Sequence, residues 1–123
     1  MTLPTFMVLE DEALIALDIE MTLEAEKLGR VTCCSDVDCA MQLIDDDKPD
    51  VGVLDFNLGN GDNSLGVAQR LLALGTPFIF LTGYTGKTLG LPDDLQDVPR
   101  LSKPFQERDL VAAVKAIMDD LPS

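Results

Sequence analysis

Short apolar runs alternate with longer amphipathic segments along the whole chain. Five of these runs predict β-strands, over residues 5–10, 30–34, 51–55, 77–81 and 100–102. The first contains the continuous apolar stretch Phe6-Met7-Val8-Leu9, which is typical of a strand buried on both faces of a sheet. The alternation therefore indicates a sheet whose strands are separated by helices.

Segments with helical spacing follow four of the strands and predict helices over residues 12–28, 37–46, 65–74 and 106–118. Gly29 is expected to cap the first helix, Asp36 to begin the second and Gly75 to close the third. Glycines and prolines interrupt residues 85–98, so we expect at most one short helix there. Residues 57–64 form a polar, glycine-rich loop.

The order of these elements predicts the fold class. Strands that alternate with helices favour an α/β domain, in which right-handed crossovers join five parallel strands into a doubly wound sheet. The chain has no linker, internal repeat or low-complexity segment, so residues 1–123 are expected to form one domain. Ligands of such sheets bind beyond the carboxyl ends of the strands.

Polar groups stand at the carboxyl ends of four predicted strands. They are Glu10 and Asp11 after the first strand, Asp55 at the end of the third, Thr82 and Gly83 after the fourth, and Lys103 and Pro104 after the fifth. Because these ends share one edge of a parallel sheet, the groups are expected to meet there. Carboxylates, a hydroxyl and an ammonium together suit a divalent cation and a phosphoryl group.

Composition narrows the possible functions. The chain has 22 acidic and 9 basic residues and a formal charge of −13, which repels phosphate backbones and argues against a nucleic-acid partner. This balance suits a cation site, but it is also what a soluble acidic surface shows. The absence of histidine excludes Ser-His and Cys-His catalysis. Acids rather than a glycine-rich phosphate loop follow the first strand, which argues against a nucleotide-binding enzyme.

The chain shows no signal peptide and no apolar run long enough to cross a membrane, so we expect a cytoplasmic protein without a membrane partner. Its three cysteines are Cys33, Cys34 and Cys39. The adjacent pair suits neither an ordinary disulfide nor a zinc knuckle. We interpret all three as small core residues of a reduced compartment.

Four segments resemble the receiver domain of two-component response regulators: VLEDE (8–12), VLDFNL (53–58), FLTGY (80–84) and LSKPF (101–105). They occur in the family's order and at its intervals, over the whole chain. The resemblance implies a flavodoxin-like (βα)5 fold with strand order 2-1-3-4-5. It also implies a phosphoryl donor, namely the phosphohistidine of a histidine kinase or of a histidine phosphotransfer protein.

The resemblance further implies a cation site for Mg²⁺ or Mn²⁺. Asp11 and Asp55 would supply carboxylate oxygens, Asn57 its main-chain carbonyl, and Glu10 would hold a bound water. Asp55 would also be the nucleophile that becomes an aspartyl phosphate. Such a chain is not a conventional enzyme, although it would promote its own phosphorylation and dephosphorylation. Capping roles for Asp11 and Asp55 remain as alternatives.

Two further positions match groups that face the phosphoryl group in the family. Lys103 corresponds to the phosphate-facing lysine, and Thr82 to a hydroxyl that donates to a phosphoryl oxygen. Pro104 corresponds to a proline that follows a cis peptide bond. Alternatively, Lys103 is a surface lysine, and Thr82 with Gly83 forms only a turn.

The chain also departs from the family pattern. Arg100 occupies the position, three residues before the lysine, where many receivers carry an aromatic switch residue. Phe80, Gly83 and Tyr84 are similar to a subgroup with a Phe-Ala-Thr-Gly-x-Tyr signature, whose members often serve stress-response phosphorelays. We expect Tyr84 and Asn57 to govern the lifetime of the aspartyl phosphate. The weak helix after residue 84 leads us to expect a monomer or a weak dimer.

The first predicted helix has apolar residues on two sides. One side carries Leu14, Leu17, Met21 and Leu28, and the other carries Ile15, Ile19 and Leu23. One side must face the sheet, and the other is either a partner surface or part of a broadly buried helix. The sequence does not indicate which side faces the sheet.

Three roles fit these features. The first is a stand-alone phosphoacceptor that signals or relays through protein contacts, and the second is a sink that drains phosphate from a kinase. The third is a degenerate receiver that acts as an interaction module without phosphorylation. The complete set of acids, threonine and lysine favours phosphorylation.

Overall fold

A computed structural model describes residues 3–58, 63–83 and 91–119 of the chain. Its strands are β1 (Thr5–Leu9), β2 (Arg30–Cys34), β3 (Val51–Asp55), β4 (Phe78–Thr82) and β5 (Arg100–Ser102). Its α-helices are α1 (Ala13–Ala25), α2 (Val37–Asp47), α3 (Leu65–Leu74) and α4 (Glu107–Met118). A single 3-10 turn, Asp93–Leu95, lies in the described part of the segment between β4 and β5.

All five strands are parallel and lie in the order β2-β1-β3-β4-β5. This confirms the predicted fold class and strand order. β3 is the central strand, with β1 on one side and β4 on the other. In register, Leu9 pairs with Leu54, Asp55 with Leu81, and Thr82 with Ser102. The polar groups that follow these positions therefore share one edge of the sheet.

Successive residues of each strand point to opposite faces of the sheet, and each face packs against its own pair of helices. Phe78 and Phe80 of β4 pack with buried residues of α2 and α3. Ile79 and Leu81, from the same strand, pack with buried residues of α1 and α4. The two apolar cores hold the central strands rigidly, which fixes the positions of the groups at the carboxyl edge.

The end of α1 differs from its predicted position. The helix ends at Ala25 rather than at residue 28, because Lys27 adopts a left-handed conformation (φ 57°) and the N–H of Leu28 bonds to the carbonyl of Leu23. Gly29 is not the cap. A side chain at Gly29 would collide with the ring of Phe6 and the carbonyl of Pro4, so glycine allows β2 to approach β1 closely.

The predicted ends of α2, α3 and α4 agree with the structure to within one residue. The Asp36 carboxylate accepts a hydrogen bond of 2.8 Å from the N–H of Cys39 and so caps α2. Gly75, with φ of 75°, closes α3. Among the described residues, no helix is both long and apolar enough to span a bilayer.

The cysteines correct the sequence interpretation. Cys34 and Cys39 form a disulfide, with their Cα atoms 5.5 Å apart, so these two are not reduced thiols. The turn capped by Asp36 brings the start of α2 back toward the end of β2, a proximity that the spacing alone did not reveal. Cys33 has a free thiol and is half-buried.

The structure decides which side of α1 faces the sheet. Ile19 and Leu23 are fully buried, whereas Leu14 and Met21 are 82% and 61% exposed. Leu17 is also exposed. We refer to Leu14, Leu17 and Met21 as the exposed α1 face. Leu28 does not belong to it, because the early end of α1 places this residue against the core.

Candidate functional site

Three carboxylates meet at the carboxyl ends of β1 and β3. Glu10, Asp11 and Asp55 each offer one oxygen atom, and these atoms lie within 4.8 Å of one another. Glu10 and Asp55 are buried, whereas Asp11 is exposed. The arrangement follows from the topology, because β1 and β3 are neighbours and end at the same level. Carboxylate oxygens at this spacing suit a hard divalent cation.

Lys103 reaches this cluster from the end of β5. Its ammonium Nζ lies 2.6 Å from Glu10 Oε1 and 3.2 Å from Asp55 Oδ2. Its main-chain N–H donates a 2.8 Å hydrogen bond to the carbonyl of Thr82, which holds the two chain segments together. The peptide bond between Lys103 and Pro104 is cis, as the sequence resemblance implies. A positive charge therefore already lies between two buried carboxylates.

Burial and charge shift the protonation of this cluster. Burial, followed by the nearby Asp55 carboxyl, raises the pKa of Glu10 from 4.5 to about 7, although Lys103 acts to lower it. Partial burial acts to lower the pKa of Lys103, but the hydrogen bond with Glu10 and the charges of Glu10 and Asp55 outweigh it and raise the pKa. Lys103 is therefore an ammonium at neutral pH.

Thr82 lies at the end of β4, directly beside the strand that carries Asp55. Its side chain is buried, and its hydroxyl Oγ1 lies 3.5 Å from the hydroxyl Oγ of Ser102 on β5. The two residues are register partners, so their side chains project from the same face of the sheet. The phosphoryl-facing hydroxyl predicted from the sequence thus has a second hydroxyl as its neighbour.

A cavity of about 540 Å³ opens in front of these groups. Its lining includes Asp11, Asp55, Asn57, Gly83 and Lys103. Asn57 forms an isolated antiparallel bridge with Asn63, which places its main chain at the rim of the site. Among the described residues, no atom lies within 4 Å of the position that a Cβ atom would take at Gly83. The cavity thus gives solvent and small solutes access to Asp55 and Lys103.

A family model described as "Response regulator receiver domain" matches residues 6–115. The chain belongs to this family. Receiver domains of response regulators act in two-component signal transduction, which agrees with the acidic cluster at the carboxyl edge of the sheet.

Solved receiver structures match nearly the whole domain. The solution structure of SdrG from Sphingomonas melonis Fr1 is 35% identical, with a TM-score of 0.77, over 94% of this chain and 96% of that chain. A response regulator receiver protein from Sinorhizobium medicae WSM419 is 26% identical, with a TM-score of 0.78, over 95% of each chain. The REC domain of the PhyR response regulator from Erythrobacter litoralis is 21% identical, with a TM-score of 0.82, over 100% of this chain and 95% of that chain, and this likeness shows the fold alone.

The Phe80 ring of this receiver domain lies behind the site, whereas Phe105 lines the cavity. The Phe80 ring is fully buried and makes edge-to-face contacts with Phe56 and Phe78, each at a centroid distance of 5.6 Å. Arg100, at the position of the family's aromatic switch, is exposed, and its guanidinium donates to the carbonyl of Gln96 at 3.0 Å. Tyr84 lies outside the described residues. Phe80 can therefore influence the site only through packing.

Two features of this receiver site were missed in the sequence analysis. Ser102 was treated as an ordinary strand residue, and only the β4–β5 register shows that it is the neighbour of Thr82. The sequence resemblance assigned Glu10 to a bound water and Lys103 to the phosphate, whereas the structure pairs them directly. These residues are 93 positions apart, so no local pattern could reveal the contact.

Proposed function

We propose that this receiver domain accepts a phosphoryl group on Asp55 from a phosphohistidine and passes the signal on through protein contacts. The observation that carries the proposal is the convergence of Asp11, Asp55 and Lys103 on one cavity, with the Glu10 carboxylate in contact with Lys103 behind them. Acids from two strands and an ammonium from a third are arranged as phosphoryl transfer requires, because developing negative charge must be offset at a fixed position.

The donor set fits Mg²⁺ or Mn²⁺. Asp11 and Asp55 would hold the ion with carboxylate oxygens, Asn57 with its main-chain carbonyl, and Glu10 through a water. The Lys103 ammonium already lies 2.6 Å from Glu10 and 3.2 Å from Asp55, which supports a need for positive charge at this position. When bound, the cation would offset the charge of the phosphoryl oxygens.

The transfer step uses side chains of this chain. An Asp55 carboxylate oxygen attacks phosphorus, the P–N bond of the phosphohistidine breaks, and its electron pair returns to the imidazole nitrogen. Lys103 has three N–H donors and can bind a phosphoryl oxygen while it stays close to Asp55. The Thr82 hydroxyl would donate a hydrogen bond to another phosphoryl oxygen. Both groups stabilise the product through charge and hydrogen bonds.

The donor would be a histidine kinase or a histidine phosphotransfer protein that docks on the exposed α1 face. Leu14, Leu17 and Met21 form an apolar strip on the helix that borders the cavity, which is lined in part by Ile15 and Asp18 of α1. Exposed apolar residues grouped beside a reactive site are typical of a protein interface. The strip would bring the donor's histidine to the open side of the cavity.

Intact-mass measurement tests the proposal directly. The protein is incubated with a small phosphodonor, such as phosphoramidate, and Mg²⁺. We expect the wild type to gain the mass of one phosphoryl group, and we expect no gain for Asp55→Asn or in the presence of a chelator. A wild type that gains no mass with its site folded would reject the proposal and favour an interaction module that works without phosphorylation.

A further inference from the structure

We propose that Ser102 is a positioning residue that accepts the hydrogen bond of the Thr82 hydroxyl in the unphosphorylated protein and becomes the donor of that bond when Asp55 is phosphorylated. The inference rests on the proposed function and adds a residue to it. It assigns a role to a position whose importance is visible only in the strand register.

The buried hydroxyl of Thr82 needs a protein group as its hydrogen-bond partner, and Ser102 provides one. The Thr82 residue is 1% exposed, so its hydroxyl cannot rely on bulk water for a hydrogen bond. Within the described residues, the partner found for this hydroxyl is Ser102 Oγ, at 3.5 Å. That separation exceeds the usual O–H···O distance of about 2.7 Å, so the bond is long and its contribution is modest.

The hydrogen bond between Thr82 and Ser102 must change when Asp55 is phosphorylated, because Thr82 has only one hydroxyl proton to donate. A threonine hydroxyl has one proton to donate and two lone pairs that accept. In the structure Thr82 donates this proton to Ser102. If Thr82 donates to a phosphoryl oxygen instead, Ser102 loses that bond but can donate its own proton to a Thr82 lone pair. The direction of the bond reverses and both hydroxyls stay paired.

Removal of the Ser102 hydroxyl therefore affects the two states unequally. In the unphosphorylated state, Ser102→Ala leaves a buried Thr82 hydroxyl without its partner, which raises the free energy of that state. In the phosphorylated state, Thr82 still donates to the phosphoryl oxygen, so the cost is smaller. The substitution should shift the equilibrium toward the phosphorylated arrangement.

The surroundings make Ser102→Ala a mild change. The residue is exposed, so alanine leaves no cavity in the core. The main-chain bond from Lys103 N to the Thr82 carbonyl, 2.8 Å long, does not involve the serine side chain. The strand pairing that positions Lys103 should therefore persist in the variant.

Titration with beryllofluoride, a stable mimic of a phosphoryl group, tests the proposal in the presence of Mg²⁺. The bound mimic is measured by fluorine-19 NMR. We expect Ser102→Ala to bind it roughly two- to threefold more tightly than the wild type, the low end for a hydrogen bond because this one is long. Ser102→Thr, which keeps a hydroxyl at this position, should bind like the wild type.

A double variant separates positioning from a general structural effect. When Thr82→Val has already removed the threonine hydroxyl, adding Ser102→Ala should no longer change the affinity. The proposal would be overturned if Ser102→Ala alone bound the mimic equally or more weakly than the wild type, or if its effect were unchanged when combined with Thr82→Val. A wild type that neither gains phosphate nor binds the mimic would instead reject the proposed function.

Discussion

Glu10 is a buried carboxylic acid whose protonation is linked to the stability of the fold. Its folded-state pKa of about 7 lies above its ordinary value of 4.5, so the native state binds an extra proton between these two pH values. The resulting stability is fully present below pH 4.5 and is lost as the pH rises through 7. Without a divalent cation, the contribution of Glu10 to the free energy of unfolding should therefore be smaller at pH 8 than at pH 5.

Glu10→Gln tests that linkage, since glutamine resembles the protonated acid at every pH. In the presence of a chelator at pH 8, we expect the unfolding temperature of the variant to be roughly 3–5 °C higher than that of the wild type. At pH 5 the difference should be small, because Glu10 is already protonated there. Thermal unfolding at both pH values provides the measurement, with exposed Glu12→Gln as the matched control. A pH-independent difference would contradict the assignment of the shift to Glu10.

The sequence indicated most of the site's residues but not how they contact one another. Glu10, Asp11, Asp55 and Lys103 could be placed together because each stands at or just after the carboxyl end of a strand in the same parallel sheet. The Thr82–Ser102 pair depends on strand register, and register is set by tertiary packing rather than by a motif. The expectation that Tyr84 and Asn57 control the phosphate lifetime stays a prediction.

The α1 helix shows what an amphipathic pattern can and cannot establish. Both of its apolar sides were visible in the sequence, but only packing against the sheet distinguishes the buried side, with Ile19 and Leu23, from the exposed one. The sequence pattern predicted that the helix ends at residue 28, three residues after its observed end at Ala25. The helix stops early because the chain must turn at Lys27 for Gly29 to fit beside Phe6, and this constraint comes from another strand.

The exposed α1 face should matter for transfer between proteins and not for the chemistry itself. We expect Leu17→Ser to slow phosphotransfer from a histidine phosphotransfer protein by roughly fivefold or more, because an apolar contact at the interface is lost. The rate with phosphoramidate should not change, since a small donor in the cavity does not reach the exposed α1 face, none of whose residues lines the cavity.

Both rates can be followed by intact-mass measurement over time. Leu72→Ser on α3 is the matched control, because Leu72 is also an exposed leucine on a helix, at 40% exposure. An equal loss with the small donor would show that Leu17→Ser damages the site. An unchanged rate with the protein donor would remove the exposed α1 face from the proposed interface.

At the scale of the whole molecule, charge opposes folding. The nine basic residues cannot neutralise 22 acidic ones, so the net charge of −13 is confined to a small volume when the chain folds. Because salt screens such repulsion, about 0.5 M sodium chloride should raise the unfolding temperature at pH 7 by a few degrees. The gain should shrink near pH 4, where many carboxylates are neutral. Thermal unfolding across a salt series would refute this argument if stability fell as salt increased.

The global architecture was the most predictable level of the structure. Alternation of strands and helices led to a doubly wound sheet, the family resemblance added the order 2-1-3-4-5, and the structure confirms both. The cysteines were the clearest error, because the pairing of Cys34 with Cys39 depends on how α2 turns back toward β2. The local sequence pattern thus predicts the strands and helices, whereas contacts between residues on either side of a turn can be identified only in the folded structure.

The 540 Å³ cavity has a consequence for the duration of a signal. A single phosphoryl group cannot fill it, and Gly83 contributes no side chain to close it. The passage through which the donor histidine enters would also let solvent reach the phosphorus atom once the donor has left. The lifetime of the aspartyl phosphate after the donor has left would then depend on the residues that surround this opening.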